Sequence, residues 1–221
     1  ILLVQTDNTL NGSSVPTHKT DWWPWGGIVG DVYLVETPKQ FIRNAYLQLN
    51  PENFSEAYFN LEMNNKFAGK EISLEIPELQ YTNKFITNSS GAITENIQIT
   101  PQLWSPANPK LYEVIISSKN ESINDEIGFR SIKTQGQKIY LNNSEIRFKG
   151  IAMHSEPIGI DGPAFSQEHF KELLSTAKEL NINFVRAAHY PYTRHLAKIA
   201  DQFGLMLWEE VPVYWNIDWS N

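Results

Sequence analysis

The 221-residue chain contains no cysteine, which excludes a disulfide framework and thiolate chemistry. It has no apolar run approaching the ~20 residues that a membrane-spanning helix needs. Lys and Arg are scattered rather than clustered and the net charge is −7, which argues against nucleic acid as a partner. No Gly-rich phosphate loop follows a strand, and no G-x-S-x-G nucleophile elbow occurs. Internal repeats and low-complexity tracts are also missing. The first residues, Ile1-Leu2-Leu3-Val4-Gln5, lack a Met and a basic segment, so they do not read as a signal peptide. They read as a strand already under way, and the expectation is that the chain starts inside a domain.

What is present is globular: 41% hydrophobic and 19% charged residues, which rules out a disordered composition. Aromatic residues reach 12%, with seven Trp, nine Tyr and eleven Phe. Such rings can be apolar platforms for sugars, but composition alone favours their filling β cores.

Three segments differ in texture. Residues 1–36 hold an expected strand at Ile1–Val4, a polar loop, the cluster Trp22-Trp23-Pro24-Trp25-Gly26-Gly27 and an expected strand at Ile28–Glu36. They read as the end of a β domain. Residues 37–134 alternate at period two near Phe41–Leu49, Ala57–Met63, Glu71–Ile76, Ile93–Ile99, Tyr112–Ser118 and Glu126–Lys133. Short strands separated by turn signals predict an antiparallel sandwich of immunoglobulin size. Residues 135–221 change period. A hairpin (Lys138–Leu141, Glu145–Phe148) leads into strand Gly150–Met153. A helix capped by Ser166, strand Ile182–Ala187, a helix over Arg194–Phe203 ended by Gly204, and strand Leu205–Trp208 follow. The order β-α-β-α-β with short connections means parallel strands. These strands are nearly all apolar, so both sheet faces are expected to be buried. Closing a barrel takes eight such strands.

In a parallel barrel, functional groups sit where strands end. His154 follows the first strand, His189 the second, and Glu209 and Glu210 the third. Arg186 lies just before the end of its strand, where it can hold a carboxylate ionised. Each has a plainer alternative: a satisfied structural histidine, a salt-bridge Arg, or a rim or capping Glu. Successive strand residues point to opposite faces, so Glu209 and Glu210 share a substrate only if the strand has already ended. Glu156 is a further candidate beside a solvated-loop reading. Asp21, next to the Trp cluster, either accepts sugar hydroxyls beside a ring or caps a turn. His189 and His195 are not at helical i,i+4 spacing and no Cys assists, so no metal is expected.

The run N-F-V-R-A-A-H-Y-P (Asn183–Pro191) resembles the signature of glycoside hydrolase family 2. D-W-W-P-W-G-G-I-V-G-D-V-Y-L (Asp21–Leu34) is similar to the end of that family's N-terminal jelly roll. L-W-S-P-A-N-P-K-L-Y (Leu103–Tyr112) and I-G-F-R-S-I (Ile127–Ile132) resemble its immunoglobulin-like domain. F-K-G-I-A-M-H-S-E (Phe148–Glu156) and G-L-M-L-W-E-E-V-P (Gly204–Pro212) resemble the first and third barrel strands.

The resemblance implies a multidomain chain: the end of a β jelly roll over 1–36, an immunoglobulin-like β-sandwich over 37–134, and the first β/α units of a TIM (β/α)8 barrel over 135–221. It implies a retaining exo-β-glycosidase acting on carbohydrate without a cofactor, through two glutamates. In the family these follow the fourth and seventh barrel strands. The expectation is therefore that no catalytic residue lies within these 221 residues and that they are inactive alone. By resemblance Asp21, His154 and His189 contact the terminal sugar, and Arg186 braces the nucleophile. Glu210 and Trp215 are rim candidates, and Trp219 joins Trp215 as a candidate for an aglycone subsite. Where some β-galactosidases carry magnesium ligands, Tyr214 and Asn216 stand here, which favours the metal-free branch. β-Galactosidase is the preferred activity because it is the commonest in the family, and β-glucuronidase is the alternative. A non-catalytic carbohydrate-binding module is the competing class. No nucleic-acid or membrane partner is implied. A homo-oligomer is compatible with the resemblance, and compartment stays open, with a soluble periplasmic or secreted parent as one option.

Overall fold

The structure, a computed structural model, describes residues 1–11, 14–16, 19–23 and 25–213. Two compact units emerge: residues 34–147, and residues 1–33 together with the chain from Phe148 onward.

In the 34–147 unit the period-two patterns become β1 (Ile42–Leu49), β2 (Glu56–Met63), β3 (Glu71–Ile76), β4 (Tyr81–Ile86), β5 (Ala92–Gln98), β6 (Tyr112–Ser117) and β7 (Ser122–Ile127). One antiparallel sheet runs β1-β2-β5 and the other β4-β3-β6-β7. On β3, Ile72, Leu74 and Ile76 are buried, whereas Glu71, Ser73 and Glu75 between them are not. Their faces meet Phe59, Leu61, Ile93, Ile97, Val114 and Phe129 in one core. Each fully buried aliphatic or Phe side chain contributes ~1.5–3 kcal/mol by removal from water. The result is a sandwich of immunoglobulin type.

Two details depart from the sequence reading. β4 was not expected, because Thr82-Asn83-Lys84 hides its alternation. It lies at a sheet edge, where one paired neighbour suffices and polar residues are tolerated. The expected strand Glu126–Lys133 is instead two strands, β7 and β8 (Ile132–Gln135), interrupted at Gly128–Ser131. Trp104 decides the break. Its ring is fully buried, a Cβ on Gly128 would stand 2.6 Å from it, and the Arg130 guanidinium lies 4.3 Å over it.

β8, β9 (Lys138–Leu141) and β10 (Ser144–Glu145) make a small antiparallel sheet. Asn142 and Asn143 both adopt positive φ (53° and 65°), as a two-residue hairpin turn requires. The second hairpin strand covers Ser144–Glu145 and does not extend to Phe148. Asn142 Nδ2 also donates to the Trp104 carbonyl at 2.9 Å, and Asn142 Oδ1 accepts from the Ser131 N–H at 3.0 Å.

The other unit contains β11 (Gly150–Met153), α1 (Gln167–Glu179), β12 (Phe184–Ala187), α2 (Arg194–Phe203) and β13 (Met206–Glu209). The strands are parallel, in the order β11-β12-β13. Ser166 caps α1 by accepting the His169 N–H at 3.3 Å. Gly204, at φ 70°, ends α2 in the left-handed conformation. Phe170, Leu174 and Ala177 of α1 and Leu196, Ile199 and Ala200 of α2 bury Val185 and Ala187. The expectation that both sheet faces are buried fails: Ala152, Arg186 and Trp208 are exposed on the opposite face, because both helices cover the same side. The strands expected at Ile1–Val4 and Ile28–Glu36 do not form. Among the described residues neither segment pairs with another strand, and Leu2 and Leu34 are exposed.

Candidate active site

The register of the parallel sheet builds the site. Met153 pairs with Ala187, and Ala187 with Glu209, so the three strands end level. His154, His189 and Glu210 lie just beyond those ends, and Arg186 projects from β12. β13 stops at Glu209, so Glu210 is free of the strand's alternation and turns toward Arg186 and His189.

Arg186 Nε donates to Glu210 Oε1 at 2.5 Å, and His189 Nδ1 lies 2.8 Å from Glu210 Oε2. A carboxylate only accepts, so Nδ1 of His189 carries the proton. Burial would raise the Glu210 pKa, but hydrogen bonds from Arg186 and His189 outweigh it and hold the carboxyl below its ordinary range. Arg186 remains half exposed, while His189 and Glu210 are largely covered.

The His154 and His189 rings meet edge-on with centroids 5.5 Å apart. His154 Nδ1 is buried and, among the described residues, has no hydrogen-bond partner. Trp22 lies over the pair, 6.5 Å from His154 and 5.6 Å from His189, and 5.5 Å from Tyr190. Beside the cluster, Trp22, Trp23, Trp25, Phe165, Tyr190 and Tyr192 line a cavity of about 440 Å³.

Of the residues singled out from sequence, His154, Arg186, His189 and Glu210 come together. Asp21 is exposed and stands next to Trp22 in the chain. Glu156 and Glu209 are exposed, outside the Arg186–His189–Glu210 hydrogen bonds. Trp215, Trp219, Tyr214 and Asn216 lie outside the described residues. Trp22, the ring over the imidazoles, and Tyr190 and Tyr192 beside them are site residues that the sequence does not single out. The available signals were Asp-Trp at 21–22 and the His-Tyr-Pro-Tyr run at 189–192.

An immunoglobulin-type sandwich followed in the chain by parallel β/α units, with polar groups at level strand ends, is a multidomain arrangement that combines a β-sandwich with barrel-type β/α units. The chain belongs to glycosyl hydrolases family 2. The model of that family matches residues 40–130, and its TIM barrel domain matches residues 132–216. A putative β-glucuronidase of Formosa agariphila is 28% identical over 96% of this chain and 27% of its own length. A β-galactosidase of Actinobacillus pleuropneumoniae is 29% identical over 87% of this chain and 19% of its own length. The chain thus spans about a quarter or less of these curated relatives. Among solved structures, a β-galacturonidase from Eisenbergiella tayi has a TM-score of 0.76 at 23% identity, over 94% of this chain and 39% of that one. β-Glucuronidase 3 of Bacteroides uniformis has a TM-score of 0.77 at 23% identity, over 94% of this chain and 27% of that one. At this identity the structural likeness speaks for the fold.

Proposed function

We propose that this chain carries sugar-contacting and carboxylate-bracing residues of a retaining exo-β-glycosidase acting on terminal β-linked galactose. The observation that carries the reading is the convergence of His154, Arg186, His189 and Glu210 at three level strand ends, beneath Trp22. Imidazoles and Asp21 suit sugar hydroxyls, and an indole face suits the apolar side of a pyranose. In this reading the half-exposed Arg186 guanidinium, besides donating to Glu210, keeps the nucleophilic carboxylate ionised.

In such a reaction one carboxylic acid protonates the leaving oxygen while the other carboxylate attacks the anomeric carbon. Water then releases the sugar from the glycosyl-enzyme. Neither role is assigned to Glu156, Glu209 or Glu210, because Glu210 is engaged by Arg186 and His189 and the other two are exposed.

A β-glucuronidase is the second reading, favoured by the Formosa relative that matches over nearly the whole chain. The test uses the protein made from its complete reading frame with p-nitrophenyl β-D-galactoside and β-D-glucuronide. Faster hydrolysis of the galactoside supports the first reading, and faster hydrolysis of the glucuronide selects the second. Failure to hydrolyse either β-glycoside overturns both.

A further inference from the structure

One hydroxyl lies between the two strand ends that carry the histidines. Tyr192 Oη is 2.7 Å from the Met153 carbonyl and 3.0 Å from the Ala188 carbonyl. Met153 immediately precedes His154, and Ala188 immediately precedes His189. The Ala188 N–H donates to the same Met153 carbonyl at 3.1 Å. Tyr190 reaches the other side of His154: its hydroxyl accepts the N–H of Ser155 at 3.0 Å. Both imidazoles are therefore tied through their backbone neighbours to the two tyrosines of one short loop.

The β11–β12 ladder ends at the pair Met153–Ala187. Past that pair the Ala188 N–H bond to the Met153 carbonyl carries the ladder one step further, and the tyrosine hydroxyls add side-chain ties on either side of it. The tyrosine rings are themselves well held. They stack with centroids 5.3 Å apart and 11° between planes, and Tyr192 packs against the fully buried Phe170. Burial pushes both phenols above their ordinary pKa, so each keeps its proton at neutral pH.

We propose that Tyr192 is a positioning residue that, together with Tyr190, latches the two strand-end loops and sets the edge-on spacing of His154 and His189. The phenol has one proton and donates to one carbonyl at a time, yet either bond keeps Tyr192 seated between the loops. The consequence for function rests on the reading that these imidazoles contact the terminal sugar.

Tyr192→Phe in the 221-residue chain removes the hydroxyl and keeps the ring. The readouts are the imidazole NMR resonances of His154 and His189, the contact between the two rings, and the affinities for D-galactose and D-glucuronate. The expected result is displaced resonances of both histidines with unchanged far-UV circular dichroism. Affinity for the sugar that binds falls by about 3- to 10-fold, the loss expected of one neutral hydrogen bond. Tyr58→Phe, in the 34–147 unit, leaves all of these unchanged. Unmoved histidine resonances in Tyr192→Phe, with only a lower melting temperature, overturn the latch. If Tyr192→Phe does not fold, Tyr190→Phe decides: displacement of the His154 resonances supports the latch, and unmoved His154 overturns it. A wild-type chain that binds neither sugar counts against the proposed function alone, because the imidazole readout still decides the latch.

Discussion

Glu210 shows how one carboxylate can organise a site. It accepts from Arg186 and from His189, and this double demand fixes the His189 tautomer. Its lowered pKa gives a signed expectation. A carboxylate held below its unfolded value stabilises the fold fully above that value, about 4.3 for Glu, and the contribution disappears as pH falls through the lowered value. Wild-type stability should therefore decline below pH ~4 in part through Glu210. In Glu210→Gln this component of the decline is absent, and neutral-pH stability falls by about 1 kcal/mol after allowance for the solvent around Arg186. Urea unfolding between pH 3 and 7 measures both. Identical stability of the two proteins at every pH would show that the Glu210 carboxylate contributes nothing to folding.

At the scale of elements, the parallel sheet rests on a close approach between β11 and β12. Gly150 pairs with Phe184, and a Cβ there would stand 2.5 Å from the Phe184 ring and 2.7 Å from its carbonyl. The backbone carbonyl cannot swing aside as a flexible side chain could. Gly150→Ala should cost about 1–3 kcal/mol, as overpacking does. Protection of the β11 and β12 amides in hydrogen exchange should drop while the 34–147 unit keeps its own. An alanine variant with wild-type stability would mean that the strands can slide apart without penalty. Much at this scale was legible in the sequence. The spacing of Phe170, Leu174 and Ala177, the cap at Ser166 and the stop at Gly204 are local signals, and local signals place helices well. β4 was not legible, because an edge strand needs little apolar alternation. The expected strand at Ile28–Glu36 had alternation and did not form, because a strand depends on a neighbour that pattern alone does not provide.

At the scale of the whole molecule, two hydrophobic cores form among the described residues and share no residue. One comprises residues between Ile42 and Phe129, the other residues between Ala164 and Leu205. A core closed within one stretch of chain is what independent folding requires. Residues 34–147, expressed alone, should show a β-type circular dichroism spectrum and a single cooperative thermal transition. Non-cooperative melting of that piece would mean that its sandwich needs residues from elsewhere in the chain. Titrating the same piece with D-galactose also tests the competing class of a non-catalytic binding module: saturable binding there would favour it over the strand-end site.

The sequence by itself determined the switch from period two to helical spacing, the parallel β/α order and the candidacy of His154, Arg186 and His189. These follow from side-chain periodicity and from the position of polar residues at the ends of apolar runs, both local properties. Only the tertiary structure decided that Glu210 bonds both Arg186 and His189, that Trp22 lies over the imidazoles, and that Tyr192 spans Met153 and Ala188. Each of those contacts joins residues from different loops or strand ends. Their distances are set by strand register and by where each strand stops, and no local pattern encodes either.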